Sequence, residues 1–74
     1  MPRLPQVTGR ETVKALTRAG WIVLRQRGSH VHLGKEGAPY VVTVPIHDED
    51  LRPGTLRAIL RQAGLSVEVF VKLL

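Results

Sequence analysis

The sequence contains no cysteine, one methionine and only three aromatic residues, Trp21, Tyr40 and Phe70. Without cysteine there is no disulfide framework, no thiolate metal site and no cysteine nucleophile. Three aromatics are too few for the stacking platform on which single-stranded nucleic acid is usually held. Ser29 and Ser66 are the only serines, and neither lies in a strand–turn–helix elbow that would activate it. No apolar run approaches the ~20 residues of a membrane-spanning helix. Met1-Pro2-Arg3-Leu4-Pro5 is followed by no apolar stretch that would make a secretory signal. The expected address is therefore the cytoplasm, with no membrane contact. Length is lacking too. A chain of 74 residues forms a single domain, 1–74, and at this size buries only about 60% of its unfolded surface. Such an interior holds no large substrate cavity, so any chemistry must sit on the surface.

Acidic residues are the other scarcity. Six Asp and Glu stand against eleven Lys and Arg, which gives a net charge of +5. Eight of the eleven cations are Arg, whose planar fork suits phosphate oxygens better than the point charge of Lys. The excess favours a polyanionic partner, a nucleic acid, an acidic protein or a membrane surface, although it also serves solubility.

Apolar residues make up 43% of the chain, ordinary for a globular protein, and their order predicts the elements. Residues 1–7 read as a flexible, proline-flanked tail. Thr8-Gly9-Arg10-Glu11 then fits a capping box, with Thr8 as the N-cap. The helix runs to Ala19 and stops at Gly20, and Trp21 folds back over Leu16. Val13 and Leu16 mark its inner face, while Arg10, Lys14 and Arg18, each four residues apart, form a cationic stripe on the far side. Residues 21–47 hold seven of the thirteen Val and Ile residues, interrupted by Gly28, Gly34 and Gly37. This predicts strands over 21–27, 29–34 and 39–47, with turns at Gly28 and at 34–37.

Alternation gathers Val31, Leu33, Val42, Val44 and Ile46 on one buried face and puts His30, His32 and His47 on the other. Pro45, with no N–H to donate, makes the third strand an edge. Trp21 to Leu24 is apolar on both faces, so the facing of the first strand stays open. Pro53 starts a helix with Leu56, Ile59, Leu60 and Ala63 on one side, ended by Gly64. Ser66 caps a short last helix over 67–73. The fold class is α+β: an α-β-β-β-α order with a three-stranded antiparallel sheet, helices on one face and a short C-terminal helix.

Gly28-Ser29-His30 is the most informative tripeptide. Gly28 permits a positive φ and close backbone approach. His30 carries the one side chain that exchanges protons near neutrality without help. Arg25, Arg27 and the helix stripe can hold a phosphodiester beside it. Gly-Ser is also a common turn, and an outward His is an ordinary strand residue, so these residues alone leave both readings open. His30, His32 and His47 with Asp48, Glu49 and Asp50 also suggest a metal site, but those carboxylates are explained more simply as a solvated loop before the Pro53 helix. No metal is expected. Arg57 and Arg61 form a second cationic pair, of the kind found on any solvated helix face.

Four segments in order resemble one family. They are Leu16-x-x-Ala19-Gly20-Trp21, Arg25-Gln26-Arg27-Gly28-Ser29-His30, Val42-Thr43-Val44-Pro45-Ile46-His47, and Pro53-Gly54-Thr55-Leu56-x-x-Ile59-Leu60-x-x-Ala63-Gly64-Leu65. Together they resemble the HicA toxins of HicA–HicB toxin–antitoxin pairs over about residues 8–70. The resemblance implies a double-stranded-RNA-binding-domain-like fold and mRNA cleavage without a cofactor. It also implies an essential His at position 30 and a HicB-like antitoxin that covers the site, in some cases within a higher-order complex. His47 matches a recurrent family position of less certain role, and His32 is a further accessory candidate. Arg10, Lys14, Arg18, Arg25, Arg27, Gly28 and Ser29 are the expected RNA contacts. The rivals are a non-catalytic double-stranded-RNA or nucleic-acid-binding module and an inactive toxin homologue acting through a protein partner.

Overall fold

Thr8 opens the first helix as its side chain predicts. In the computed structural model, which describes residues 3–74, α1 spans Gly9–Arg18. The Glu11 amide donates to Thr8 Oγ1 at 3.2 Å and the Thr8 amide donates to Glu11 Oε1 at 2.9 Å, so both halves of the capping box are made. These bonds from the Thr8 backbone and hydroxyl, helped by Lys14, hold the Glu11 carboxyl below the usual carboxylate range. At the other end Gly20 adopts φ 98°, its amide donates to the Thr17 carbonyl, and the Trp21 amide donates to the Leu16 carbonyl. This is the anticipated closure. It also explains why the first strand starts one residue later than expected, since the amide of Trp21 is already committed to the helix.

Three strands follow, β1 (Ile22–Arg27), β2 (His30–Gly34) and β3 (Val42–Pro45), in an antiparallel sheet of order β1-β2-β3. Pro45 lies on an edge strand, as its missing N–H requires. The third strand is shorter than the 39–47 expected: residues 38–41 shape the approach from the preceding turn, and the ladder ends at Pro45. One backbone bond extends the pairing, from the Ile46 amide to the Ser29 carbonyl at 2.7 Å. Then come α2 (Pro53–Ala63), with Pro53 in its first turn, and α3 (Val67–Leu73), whose Ser66 cap accepts from the Val69 amide at 3.1 Å. Gly64, at φ 70°, ends α2 as Gly20 ends α1, with the Leu65 amide bonded to the Leu60 carbonyl.

The helices cover one face of the sheet over β2 and β3, while every residue of β1 stays exposed. Val31, Leu33, Val42 and Val44 are buried there with Leu16, Trp21 and Ile59. A second cluster, Val7, Ala15, Leu56, Leu60 and Phe70, fills the space between the helices. Here the tail expected over 1–7 needs correction. Residues 1 and 2 lie outside the described residues, but Val7 is buried, Leu4 packs on the second cluster, and the Leu51 amide donates to the Val7 carbonyl at 2.8 Å. Gly9 marks another close approach, because a Cβ there would collide with the Pro45 carbonyl oxygen. The first turn of α1 thus seats directly on the end of β3. Among the described residues no helix is long and apolar enough to cross a membrane.

Candidate active site on the open sheet face

The face turned away from the helices is built by cross-strand register. His30 pairs with Arg27 on one side and Pro45 on the other; His32 pairs with Arg25 and Thr43. Residues directly opposite in a ladder share a face, so two rows form: Arg27–His30–Pro45 and Arg25–His32–Thr43.

Plain alternation does not produce this arrangement. Val23, though exposed, stands opposite Leu33 and so on the helix side of the sheet, and Arg25 and Arg27, two and four residues later, would follow it to that side. Instead the register shifts between Val23 and Arg25, with Leu24 as the extra residue of a β-bulge. Both guanidinium groups are thereby turned to the histidine face, a known use of bulges on edge strands. The Leu24 side chain lies across Gly34, where a Cβ would come within 2.9 Å of it. Nothing in the composition of β1 marks the bulge; the only signal available was the contradiction between an apolar Trp21–Leu24 run and the arginines after it.

Gly28 and Ser29 make the two-residue turn between β1 and β2. Gly28, at φ 56°, takes the first central position with no neighbour near its missing side chain, the place glycine fills in a type II′ hairpin. The Gln26 side-chain amide donates to the Gly28 carbonyl at 3.0 Å and holds the turn from one side. His30 is exposed. His32 is half-buried, and its Nδ1 lies 3.0 Å from Thr43 Oγ1. Among the described residues the one ion pair is the exposed Lys72–Glu68 contact at 4.0 Å, so neither Arg25 nor Arg27 is engaged by a carboxylate.

The remaining predicted residues lie elsewhere. Leu16 turns to the sheet and Ala15 to the second cluster, which leaves Arg10, Lys14 and Arg18 pointing away from the sheet. Arg18 is tied to the far end of the chain, at the close of α3, by a 2.6 Å bond to the Leu73 carbonyl. His47 lies beyond the ladder, in a cleft of about 350 Å³ between the end of β3 and the start of α2, shared with Pro45, Glu49, Asp50, Leu51, Arg52 and Thr55. Among the described residues no group of three His, Asp or Glu side chains is placed to hold a metal ion.

Fold and site together define a small basic α+β domain whose distinctive surface is an exposed sheet face of imidazole and guanidinium groups. A family model described as the HicA toxin of bacterial toxin–antitoxin systems matches residues 9–65. A solved structure, a toxin–antitoxin complex from Streptococcus pneumoniae, contains a chain 40% identical to this one. The match covers 80% of this chain and 98% of that one, with a TM-score of 0.70. Comparison with curated proteins gives no match. The chain belongs to the HicA toxin family.

Proposed function

We propose that this toxin is a metal-independent endoribonuclease that cleaves mRNA, with His30 moving a proton and Arg25 and Arg27 holding the scissile phosphate. The observation that carries the reading is the register: it sets an exposed imidazole beside two guanidinium groups that have no carboxylate partner among the described residues.

RNA carries its own nucleophile, the 2′-OH, which DNA lacks. A base takes the 2′-OH proton, the oxygen bonds to the adjacent phosphorus, and the bond from phosphorus to the 5′-oxygen breaks as an acid protonates it. The products are a 2′,3′-cyclic phosphate and a 5′-hydroxyl. Proton transfers of this kind contribute about 10²–10⁴-fold each. Guanidinium donors aimed at the equatorial oxygens stabilise the charge that builds on the phosphorane. Gly28 and Ser29, with no side chain standing over the turn at 28, let the RNA backbone come close. The partner we infer is a HicB-like antitoxin that covers this face and assembles with the toxin in a larger complex, consistent with the complex in which the pneumococcal chain was solved.

Incubating the purified protein with RNA and with DNA of the same sequence, EDTA present, tests the reading. RNA should fragment with time into products bearing cyclic phosphates while DNA stays intact, and His30→Ala should abolish the fragments. A stable mobility shift with intact RNA would instead identify a binding module. Expression in a bacterial host should arrest growth, and co-expression of the antitoxin should relieve the arrest.

A further inference from the structure

A self-cleaving phosphodiester needs two proton-transfer groups, and His30 is only one. Resting on the ribonuclease reading above, we propose that His32 is the second, with Thr43 as the residue that positions it.

Three observations lead there. His30 and His32 are two apart on one strand and share the open face, so their Cα atoms lie about 7 Å apart, a spacing that lets two imidazoles reach the opposite ends of a single phosphodiester. Each has its own guanidinium across the ladder, Arg27 for His30 and Arg25 for His32. And His32 Nδ1 is 3.0 Å from Thr43 Oγ1, which fixes the ring and leaves Nε2 for the substrate.

The chemistry of that pin suits a group that cycles. A hydroxyl both donates and accepts. Thr43 therefore donates to Nδ1 when that nitrogen is bare and accepts from it when it carries a proton, so the ring keeps its direction through the reaction. The charged groups facing His32 from β1 are Arg25 and, one row away, Arg27; β3 presents only Thr43 and Pro45 on this face. Among the described residues no carboxylate pairs with this imidazole. His47, the other accessory candidate, has no hydrogen bond to fix it among the described residues and lies outside the ladder, in the cleft by α2.

The experiment uses the full chain and an RNA oligonucleotide containing its mapped cleavage site, made with either an ordinary linkage or a bridging 5′-sulfur there. A thiolate leaves without being protonated, so the sulfur linkage has no need of the general acid. On ordinary RNA, His30→Gln and His32→Gln should each slow cleavage by about 100-fold or more, and on the sulfur linkage one of the two, and only one, should recover. The wild-type pH profile should be a bell, and His32→Gln should lose one limb. Thr43→Val, which keeps His32, should lower kcat at unchanged KM and shift that same limb, and Thr43→Ser should restore both.

If His32→Gln cleaves ordinary RNA at the wild-type rate while His30→Gln is inactive, the ribonuclease reading stands and this inference falls. Loss of the limb in His47→Gln would then name the group. Recovery of both variants or of neither on the sulfur linkage, or an unchanged profile in Thr43→Val, also overturns it. A wild-type protein that cleaves no RNA removes both readings.

Discussion

Arg25 and Arg27 are exposed like many other side chains; what sets them apart is the row in which each stands, opposite His32 and His30. Arg27 is exposed and makes no ion pair among the described residues, so Arg27→Gln should leave thermal stability within about 0.5 kcal/mol of wild type. Its cleavage rate should nonetheless fall by about 10²–10³, as when one transition-state donor is removed; single-turnover kinetics on RNA checks both halves. Arg27→Lys should recover only part of the rate, because an ammonium cannot match two phosphate oxygens in one plane. A melting temperature that falls with the rate would assign Arg27 to the fold instead. The outward facing of His30 was legible in the sequence, because Val31 and Leu33 fix the parity of β2. The facing of Arg25 and Arg27 was not: alternation counts residues, and Leu24 breaks the count without any residue type that announces it.

Helix ends were the most legible elements, since their chemistry is local. Thr8, Gly20, Gly64 and Ser66 each do at the backbone what their residue type implies. Glu11 gives this a pH signature. Its folded pKa is lowered, first by the Thr8 backbone bond and then by the Thr8 hydroxyl. Its contribution to stability is therefore complete above the normal carboxylate range and disappears as pH falls through the lowered folded value. Glu11→Ala should melt below wild type at pH 7, and the two curves should converge in acid; a constant gap would place the effect elsewhere. Gly9 was legible only in part. The sequence shows a glycine inside a capping box, but not the Pro45 carbonyl that a Cβ would strike. By helix propensity alone, Gly9→Ala would stabilise α1 by about 1 kcal/mol. The collision is with backbone and should reverse the sign, costing about 1–3 kcal/mol in a denaturant titration. Contacts of this kind join residues far apart in the chain, and no local pattern carries them.

Across the whole molecule the five cations expected to contact RNA divide into two groups. Arg25 and Arg27 lie on the open sheet face, while Arg10, Lys14 and Arg18 belong to the helix layer and point away from it, with Arg18 spent on the α3 carbonyl at Leu73. A stripe of period four showed that these three share a side of α1, but which way that side turns depends on packing against the sheet and against Phe70, partners that no local pattern in α1 names. Replacing Arg25 and Arg27 together by Gln should weaken RNA binding and reduce the slope of log K against log salt by about 1.4, since each phosphate contact on a single strand contributes about 0.7. Replacing Arg10 and Lys14 should leave that slope unchanged. Equal losses from both pairs would mean that the RNA wraps around the domain.

The out-of-step residue in β1 has one more consequence. Remove Leu24 and Val23 is followed at once by Arg25, the ladder closes into even alternation, and both guanidinium groups still look outward opposite His32 and His30. A homologue one residue shorter here would thus present the same surface from a different count. When such chains are aligned, the gap belongs at position 24, and equivalence should be judged by cross-strand partner, not by distance from the preceding tryptophan.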